Sequence, residues 1–223
     1  MAAEETHSRA VEDYLKAVYK LERVATPAST TALADLLNRS AASVTNMVKN
    51  LADQGLVEHE PYHGVRLSPA GRSAALRIIR RHRIIETYLI ERLGYTWDGV
   101  HAEAERLEHA VSDELIDRMA RALGDPDVDP HGAPIPSRDG TMARRNLTSL
   151  ADLPAGHRAR VRQVSDEDDD RLRTLSALGL LLGTEVELIE AGETGCRIRV
   201  DGIVHELEPE LAADILVEPC ANG

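Results

Sequence analysis

The spacing of apolar residues changes once along this 223-residue chain, near residue 147. Before that point apolar residues recur every three or four positions, as Val11, Leu15, Val18 and Leu21 do, which is the periodicity of amphipathic helices. After it, short apolar runs alternate with glycines, and such runs predict strands. The chain has no Phe, one Trp and five Tyr, so Leu, Ile, Val and Ala must build its core. We therefore predict a mainly α protein with a small β domain.

The first 70 or so residues predict a winged helix-turn-helix, in which the third helix is the recognition helix. The predicted elements are helices at 9–24, 30–37 and 42–54, strands at 56–60 and 65–67, and a further helix from 69. Thr30 or Thr31 is the predicted cap of the second helix, and Gly55 is suited to end the third. Ser68 and Pro69 are typical first residues of a helix. A three-helix protein-interaction domain is the alternative.

The rest of the chain predicts two more helices and then a β-barrel-like domain. An arginine-rich helix should run from Pro69 to Leu93 and another from Thr96 to Leu123, each followed by a glycine. A proline-rich stretch at 125–146 indicates a turn and a linker. The predicted C-terminal elements are strands at 160–164, 185–189, 197–200 and 203–207 and a short helix at 170–177.

Charge and cysteine content restrict the class of protein. The net charge is −12, of which residues 146–223 carry −9 and residues 1–145 only −3, so the first two-thirds can still present a basic face. Cys196 and Cys220 are far apart and in no metal or redox spacing, which favours a reduced, cytoplasmic setting. No apolar run approaches the roughly 20 residues of a membrane span, so no membrane partner is expected.

Histidines and carboxylates recur at helical spacing in the middle of the chain. On a continuous helix His101, Glu105, Glu108 and His109 would share one face, and the preceding helix offers His82 and Glu86 one turn apart. These oxygen and imidazole donors suit divalent metals. One alternative is that these side chains lie on solvent-exposed helix faces and bind no metal. A metal-dependent enzyme is another, although the HExxH and GxSxG signatures are absent.

Several motifs together resemble the diphtheria-toxin-repressor family of metal-dependent transcriptional repressors. The resemblance covers essentially the whole chain. Its carriers are Glu12-Asp13-Tyr14-Leu15, the helix from Ser40 to Val48, Arg81-His82-Arg83, His101-x3-Glu105-x2-Glu108-His109 followed by Ser112-Asp113-Glu114, and the stretch from Asp129 to Pro136.

The resemblance implies a three-domain homodimer that binds double-stranded operator DNA. The implied parts are a winged helix-turn-helix domain at 1–72, a helical dimerisation and metal-binding domain at 73–140, a linker at 141–150 and an SH3-like domain at 151–223.

The resemblance also implies two metal sites. The regulatory site would use Asp13, Glu105, Glu108 and His109, and the ancillary site His82, Glu86, His101 and a C-terminal carboxylate, Asp166 before Asp169. Iron-responsive members have methionine and cysteine in place of Asp13 and Glu105, whereas manganese-responsive members have aspartate and glutamate, as here. Two-domain manganese regulators have a second carboxylate where this chain has Lys16, so a binuclear cluster of that kind is not expected.

The start of the predicted recognition helix has small polar residues suited to base edges and phosphates. The candidate DNA-binding residues are Arg39, Ser40, Ala42, Ser43, Thr45, Asn46, Lys49 and Arg66. An N-cap role for Ser40 and an ordinary polar face for the others are the alternative. Because the charge of this part is near zero, non-specific DNA binding should be weak unless two dimers pair on one operator.

We thus predict a Mn(II)-dependent transcriptional repressor of metal-uptake and metal-homeostasis genes that is not an enzyme. Fe(II), Co(II) or Zn(II) should also bind in vitro, because imidazole and carboxylate accept them readily. The alternatives are an Fe(II)-dependent repressor of the same family, a metal-dependent enzyme, and a regulator that senses an organic ligand.

Overall fold

The structure, a computed structural model, describes residues 7–23, 25–60, 63–192 and 194–220, and these form two compact units. The first unit holds the chain up to His82 with Glu108–Val111 and Pro136–Thr141; the second holds Arg83–Leu107, Ser112–Ile135 and the chain from Met142 onward.

Three short helices and a hairpin make up most of the first unit. They are α1 (Arg9–Glu22), α2 (Thr30–Leu36), α3 (Ala41–Asp53), β1 (Val57–Glu60) and β2 (Gly64–Leu67). The strands pair antiparallel, with Glu58 opposite Arg66, and we call this hairpin the wing. The predicted winged helix-turn-helix is confirmed.

A serine begins each of the three helices. Ser8, Ser29 and Ser40 have extended backbones, and the hydroxyl of each accepts the N–H of the residue three positions later. Such N-caps satisfy a backbone donor that has no partner inside the helix. The prediction of Thr30 or Thr31 as the cap of α2 was therefore wrong, since Ser29 takes that place.

The helices of the first unit enclose an aliphatic core, as the lack of phenylalanine required. Its fully buried side chains include Leu15, Val18, Leu33, Val44, Val48, Leu51 and Val65. The next helix, α4 (Pro69–Leu93), begins close against this core. A Cβ on Gly71 would lie 1.9 Å from the carbonyl oxygen of Leu56, so only glycine fits there. The division between the units falls inside α4.

The second unit contains two helices where one was predicted. They are α5 (His101–Leu107) and α6 (Asp113–Ala122), so the expectation of a single helix from Thr96 to Leu123 was wrong. The hydroxyl of Ser112 accepts the N–H of Leu115 and starts a new helix, with acidic residues in its first turn. Glu108 and His109 consequently lie in a turn beyond α5, and not on the same helical face as His101 and Glu105.

A six-stranded antiparallel sheet forms the C-terminal part of the second unit. Its strands are β3 (Thr148–Ser149), β4 (Arg158–Val164), β5 (Glu185–Gly192), β6 (Gly195–Val200), β7 (Ile203–Leu207) and β8 (Ile215–Pro219), in the order β3-β8-β4-β5-β6-β7. The helices α7 (Asp169–Ala177) and α8 (Pro209–Ala213) accompany it. The predicted small β domain is confirmed, although β3, β8 and α8 were not predicted.

None of the described helices is long and apolar enough to cross a membrane.

A buried segment of the second unit connects the loop before α5 to β4. The indole of Trp97 stacks on the His131 ring and donates to the carbonyl of Pro130, while His131 Nε2 lies 2.8 Å from the carbonyl oxygen of Trp97. The N–H of Val164 in turn donates to the carbonyl of His131. These contacts bring the start of α5 and the end of β4 together, which matters for the placement of His101 and Asp166.

Candidate metal centres and nucleic-acid interface

The first unit brings together three of the four residues predicted for the regulatory site. Asp13 is on α1, and Glu108 and His109 come from the turn after α5. One donor atom of each lies within 4.8 Å of those of the others. Glu108 is completely buried, whereas the Asp13 side chain is one-third exposed. The cluster thus has donor atoms and a path to solvent.

His109 is oriented as a metal-binding histidine is. Its Nδ1 lies 2.5 Å from a carboxylate oxygen of Glu12, so that a proton on Nδ1 is donated to Glu12. Its Nε2 lies 3.0 Å from Asp13 Oδ1 and 3.4 Å from Glu108 Oε1. This nitrogen is buried, and neither contact has the geometry of a hydrogen bond. Ligating histidines are typically fixed by such a carboxylate while the second nitrogen faces the ion. The residues present therefore fit a divalent cation.

The acidic surroundings of His109 change its protonation. Burial would lower the pKa of the imidazole, but contacts with Asp13 and Glu12 and the charge of Glu108 outweigh burial and raise the pKa to about 9. Near neutral pH His109 is therefore a cationic imidazolium when metal is absent. A divalent ion must displace this proton to bind.

A lysine is part of the same cluster. The Lys16 ammonium, one turn after Glu12 on α1, lies 2.9 Å from both carboxylate oxygens of Glu108. His82 Nδ1 lies 2.5 Å from Glu108 Oε2, and Lys16 and His82 are both buried. Glu108 therefore has cationic and imidazole partners on its own unit before any ion binds.

The second unit brings together three of the four residues predicted for the ancillary site. Glu86 is a fully buried residue of α4, His101 begins α5, and Asp166 follows β4. His101 Nδ1 lies 3.1 Å from Glu86 Oε1 and 3.6 Å from Asp166 Oδ2. Asp169, the second candidate carboxylate, is the exposed first residue of α7.

His101 is the cation of this second cluster. Burial would lower its pKa, but hydrogen bonds with Asp166 and Glu86, and the charges of these carboxylates, raise the pKa to about 10. Its Nε2 also lies 3.8 Å from Glu105 Oε1. An imidazolium surrounded by carboxylates indicates a site built for positive charge, and its donor set again fits a divalent ion.

Each of the two predicted metal sites has one ligand that belongs to the other unit. Glu105 lies on α5 in the second unit, three residues before Glu108 in the chain, and His82 lies in the first unit, one turn before Glu86 on α4. Their membership of the regulatory and ancillary sites stays a prediction. Glu12, which orients His109, was not among the predicted site residues, although its position beside Asp13 on α1 was a signal.

The predicted DNA-binding residues lie in the connection just before α3, on α3 itself and on the wing. The buried side of α3 carries Val44, Val48 and Leu51. The exposed candidates are Arg39, Ser40, Ala42, Ser43, Asn46, Lys49 and Arg66. Thr45 is half-buried and its hydroxyl donates to the Ala41 carbonyl, and the Ser40 hydroxyl caps α3.

A groove of about 430 Å³ runs between α1 and α3. Ala10 and Tyr14 of α1 line one side, and the α3 side includes Met47 and Asn50. Met47 was expected on the inward side of this helix, and it is half-buried here. Asn50 was not among the predicted residues, although it follows Asn46 by one helical turn. The helix with Asp13 thus lies directly beside the predicted recognition helix.

Comparison with known proteins identifies the family. Residues 7–65 match the N-terminal DNA-binding domain of iron-dependent repressors, residues 68–137 match their metal-binding and dimerisation domain, and residues 148–219 match the FeoA domain. The diphtheria toxin repressor of Corynebacterium efficiens is 32% identical over 218 residues, covering 93% of this chain and 94% of the relative. The chain belongs to the diphtheria toxin repressor family. It is therefore a metal-dependent transcriptional repressor and not an enzyme.

Other family members carry two different metals in their names. The iron-dependent repressor IdeR of Mycobacterium tuberculosis is 30% identical, with 93% of this chain and 96% of IdeR covered. A manganese-dependent transcriptional repressor solved with manganese has a TM-score of 0.89 and 37% identity, with 94% of this chain and all of that chain covered. The manganese regulator SloR has a TM-score of 0.80 and 32% identity, with 94% and 98% covered. The matched domains support DNA binding and a homodimer.

Proposed function

We propose that this repressor responds to Mn(II). In this proposal the regulatory ion is held by Asp13, Glu105, Glu108 and His109, and a second ion by His82, Glu86, His101 and Asp166. The observation that carries it is the first cluster, where the buried Nε2 of His109 faces two carboxylates without a hydrogen bond.

The donor chemistry favours manganese over softer ions. Both proposed ligand sets consist of carboxylate oxygen and imidazole nitrogen, and Cys196 and Cys220 belong to neither. Carboxylate suits Mn(II), whereas thiolate and thioether select softer metals. Since Mn(II) is at the weak end of the affinity order for divalent ions, Fe(II), Co(II) and Zn(II) should also bind in vitro. Iron is the alternative signal, because several relatives are named as iron-dependent.

The proposed switch acts through α1. When bound, the ion supplies positive charge that offsets the carboxylates of Asp13 and Glu108. Asp13 would then hold α1 in one position, while Glu12 keeps the His109 ring oriented. Because α1 lines a groove with α3, this would favour one placement of the recognition helix.

The proposed target is operator DNA bound in the cytoplasm by a homodimer. The two recognition helices of a dimer must match half-sites about one helical turn of DNA apart, so their spacing decides affinity. The proposed contacts are those of the start of α3 and Arg66. With a net charge of only −3 over residues 1–145, we expect two dimers to bind cooperatively on one operator.

A titration of DNA binding against metal tests this function. Protein freed of metal by chelation is given Mn(II), Fe(II) without oxygen, Co(II) or Zn(II) at buffered concentrations, with duplexes selected from a random library in each metal. We expect Mn(II) to tighten binding at least tenfold, and Asp13→Ala to abolish this gain while Asp152→Ala, at an exposed aspartate of the second unit, keeps it. A response to Fe(II) alone would assign the protein to iron, and a metal-independent wild type would refute the proposal.

A further inference from the structure

The last residue of α1, Glu22, joins three elements of the first unit. One carboxylate oxygen accepts the N–H of Leu67, at the end of β2, over 2.9 Å. The other oxygen accepts from the guanidinium of Arg72, in the first turn of α4. Only 6% of the Glu22 side chain is exposed, and the Arg72 guanidinium also lies 5.7 Å from the centre of the Tyr19 ring. Hydrogen bonds to a buried charge are the stronger kind, so α1 is firmly attached here.

The loop after α1 holds the same strand. Ala28 and Val65 exchange two backbone hydrogen bonds, of 3.0 Å and 2.9 Å. At Gly64 a Cβ would lie 2.7 Å from the Ala28 carbonyl oxygen, so the strand and the loop are in close contact. Two contacts therefore connect β2 to this region: the hydrogen bond from Leu67 to Glu22 of α1, and the backbone pairing of Val65 with Ala28 in the loop after α1.

Arg66 lies between the two β2 residues that make these contacts. It is the exposed residue of β2 between Val65, bonded to Ala28, and Leu67, bonded to Glu22. The backbone of Arg66 is therefore held to α1 and its loop on both sides. At the other end of the same helix, Asp13 is nine residues from Glu22, or roughly 13 Å along the axis.

We propose that Glu22 is a positioning residue that couples α1 to the wing, so that a metal-driven shift of α1 reaches the phosphate contact of Arg66. The inference rests on the proposed function, in which metal restrains α1. In this inference metal binding changes the position of the wing as well as that of the recognition helix. The competing explanation is that the carboxylate only stabilises the fold.

A double-mutant cycle separates the two explanations. DNA affinity is measured at saturating Mn(II) and several salt concentrations for wild type, Glu22→Gln, Arg66→Ala and the double variant. In wild type, Arg66→Ala should weaken binding about tenfold and reduce the salt slope by about 1, as loss of one phosphate contact does. In the Glu22→Gln background the same change should cost less than about threefold, because the contact is already misplaced. Independent, multiplying effects would overturn the inference.

Controls keep the outcome interpretable. Mn(II) affinity measured by calorimetry should not change in Glu22→Gln, and Glu208→Gln, which removes an exposed carboxylate of the second unit, should leave the Arg66 effect at full size. In the metal-free protein the Leu67 amide should exchange its hydrogen faster in Glu22→Gln, and an unchanged rate would refute the coupling. If Glu22→Gln does not fold, Arg72→Gln breaks the same ion pair from its half-exposed partner. A wild type that ignores Mn(II) would instead refute the proposed function and, with it, this inference.

Discussion

At the scale of single residues, the two clusters are organised by histidines that are charged when metal is absent. His109 and His101 each lie among carboxylates that raise the imidazole pKa, to about 9 and about 10. In the first cluster the Lys16 ammonium lies 2.9 Å from Glu108. The protonated imidazoles and the Lys16 ammonium thus stabilise carboxylates that a divalent ion can also stabilise. We therefore expect the chain to fold without metal and to exchange these charges for the ion when it binds.

These pKa values predict how metal binding depends on pH. Both imidazoles must lose a proton to bind an ion, so the apparent Mn(II) affinity of each site should fall about tenfold for each pH unit between pH 8 and 6. The stability of the metal-free protein has the opposite trend, because a raised pKa stabilises the fold fully below pH 6.5 and this contribution is lost as the pH rises to about 10. Calorimetry in buffers of different ionisation enthalpy should show about one proton released per site. Affinities independent of pH would contradict the assignment of these histidines as ligands.

Lys16 should matter most when no metal is present. Lys16→Met removes the ammonium from the buried Glu108 carboxylate, and breaking a buried ion pair costs about 3 kcal/mol of unfolding free energy. Urea unfolding with a chelator should show this loss, and Mn(II) should reduce it, since the ion offsets the same carboxylate. Lys49→Met, at an exposed lysine of α3, is the matched control and should change little. Equal stability of Lys16→Met and wild type would show that the contact contributes nothing.

At the scale of elements, α1 is the part on which the proposed mechanism depends. It carries Asp13, Lys16 and Glu22 on one continuous helix, capped at Ser8, and lies beside α3. The wing is less suited to DNA than its single arginine suggested. Glu58 is exposed and lies directly opposite Arg66 in the strand register, where it offsets the positive charge.

The wing therefore predicts a substitution that improves binding. Glu58→Gln removes a negative charge next to the predicted phosphate contact, and operator affinity at low salt should rise about threefold. The gain should shrink as salt increases, because exposed charges are screened. Glu206→Gln makes the same change opposite Arg197 in the second unit and should have no effect, as polarisation titrations with labelled DNA can show. A weaker affinity would mean that Glu58 itself contacts the DNA.

At the scale of the whole chain, the C-terminal domain contributes a side chain to the second cluster. It provides Asp166, which lies 3.6 Å from His101 in the second unit, where contacts of the partly buried Trp97 and the buried His131 bring the start of α5 and the end of β4 together. It also carries most of the negative charge of the chain. The family resemblance extends over all parts, from the DNA-binding domain to the FeoA domain.

Loss of Asp166 should consequently affect the number of bound ions. Asp166→Ala should lower the Mn(II) stoichiometry from two to one per chain and raise the Mn(II) concentration needed for DNA binding, because the proposed ancillary site would lose a ligand. Asp169→Ala, at the exposed alternative, should keep both ions. Two ions bound with unchanged affinity in Asp166→Ala would place the carboxylate outside the site.

The sequence alone determined the class of fold, the winged helix and the donor chemistry, because apolar periodicity, serine and glycine punctuation and residue types are local properties. It also predicted Asp13, Glu108 and His109 as one group, though only through resemblance to a family. Local rules failed where Ser112 interrupts a helix that its neighbours would continue. The tertiary structure decided which partners meet: Glu12 behind His109, Lys16 on Glu108, and Glu22 on β2. These contacts join residues up to 97 positions apart in the chain, and no spacing rule within one helix or strand can specify them.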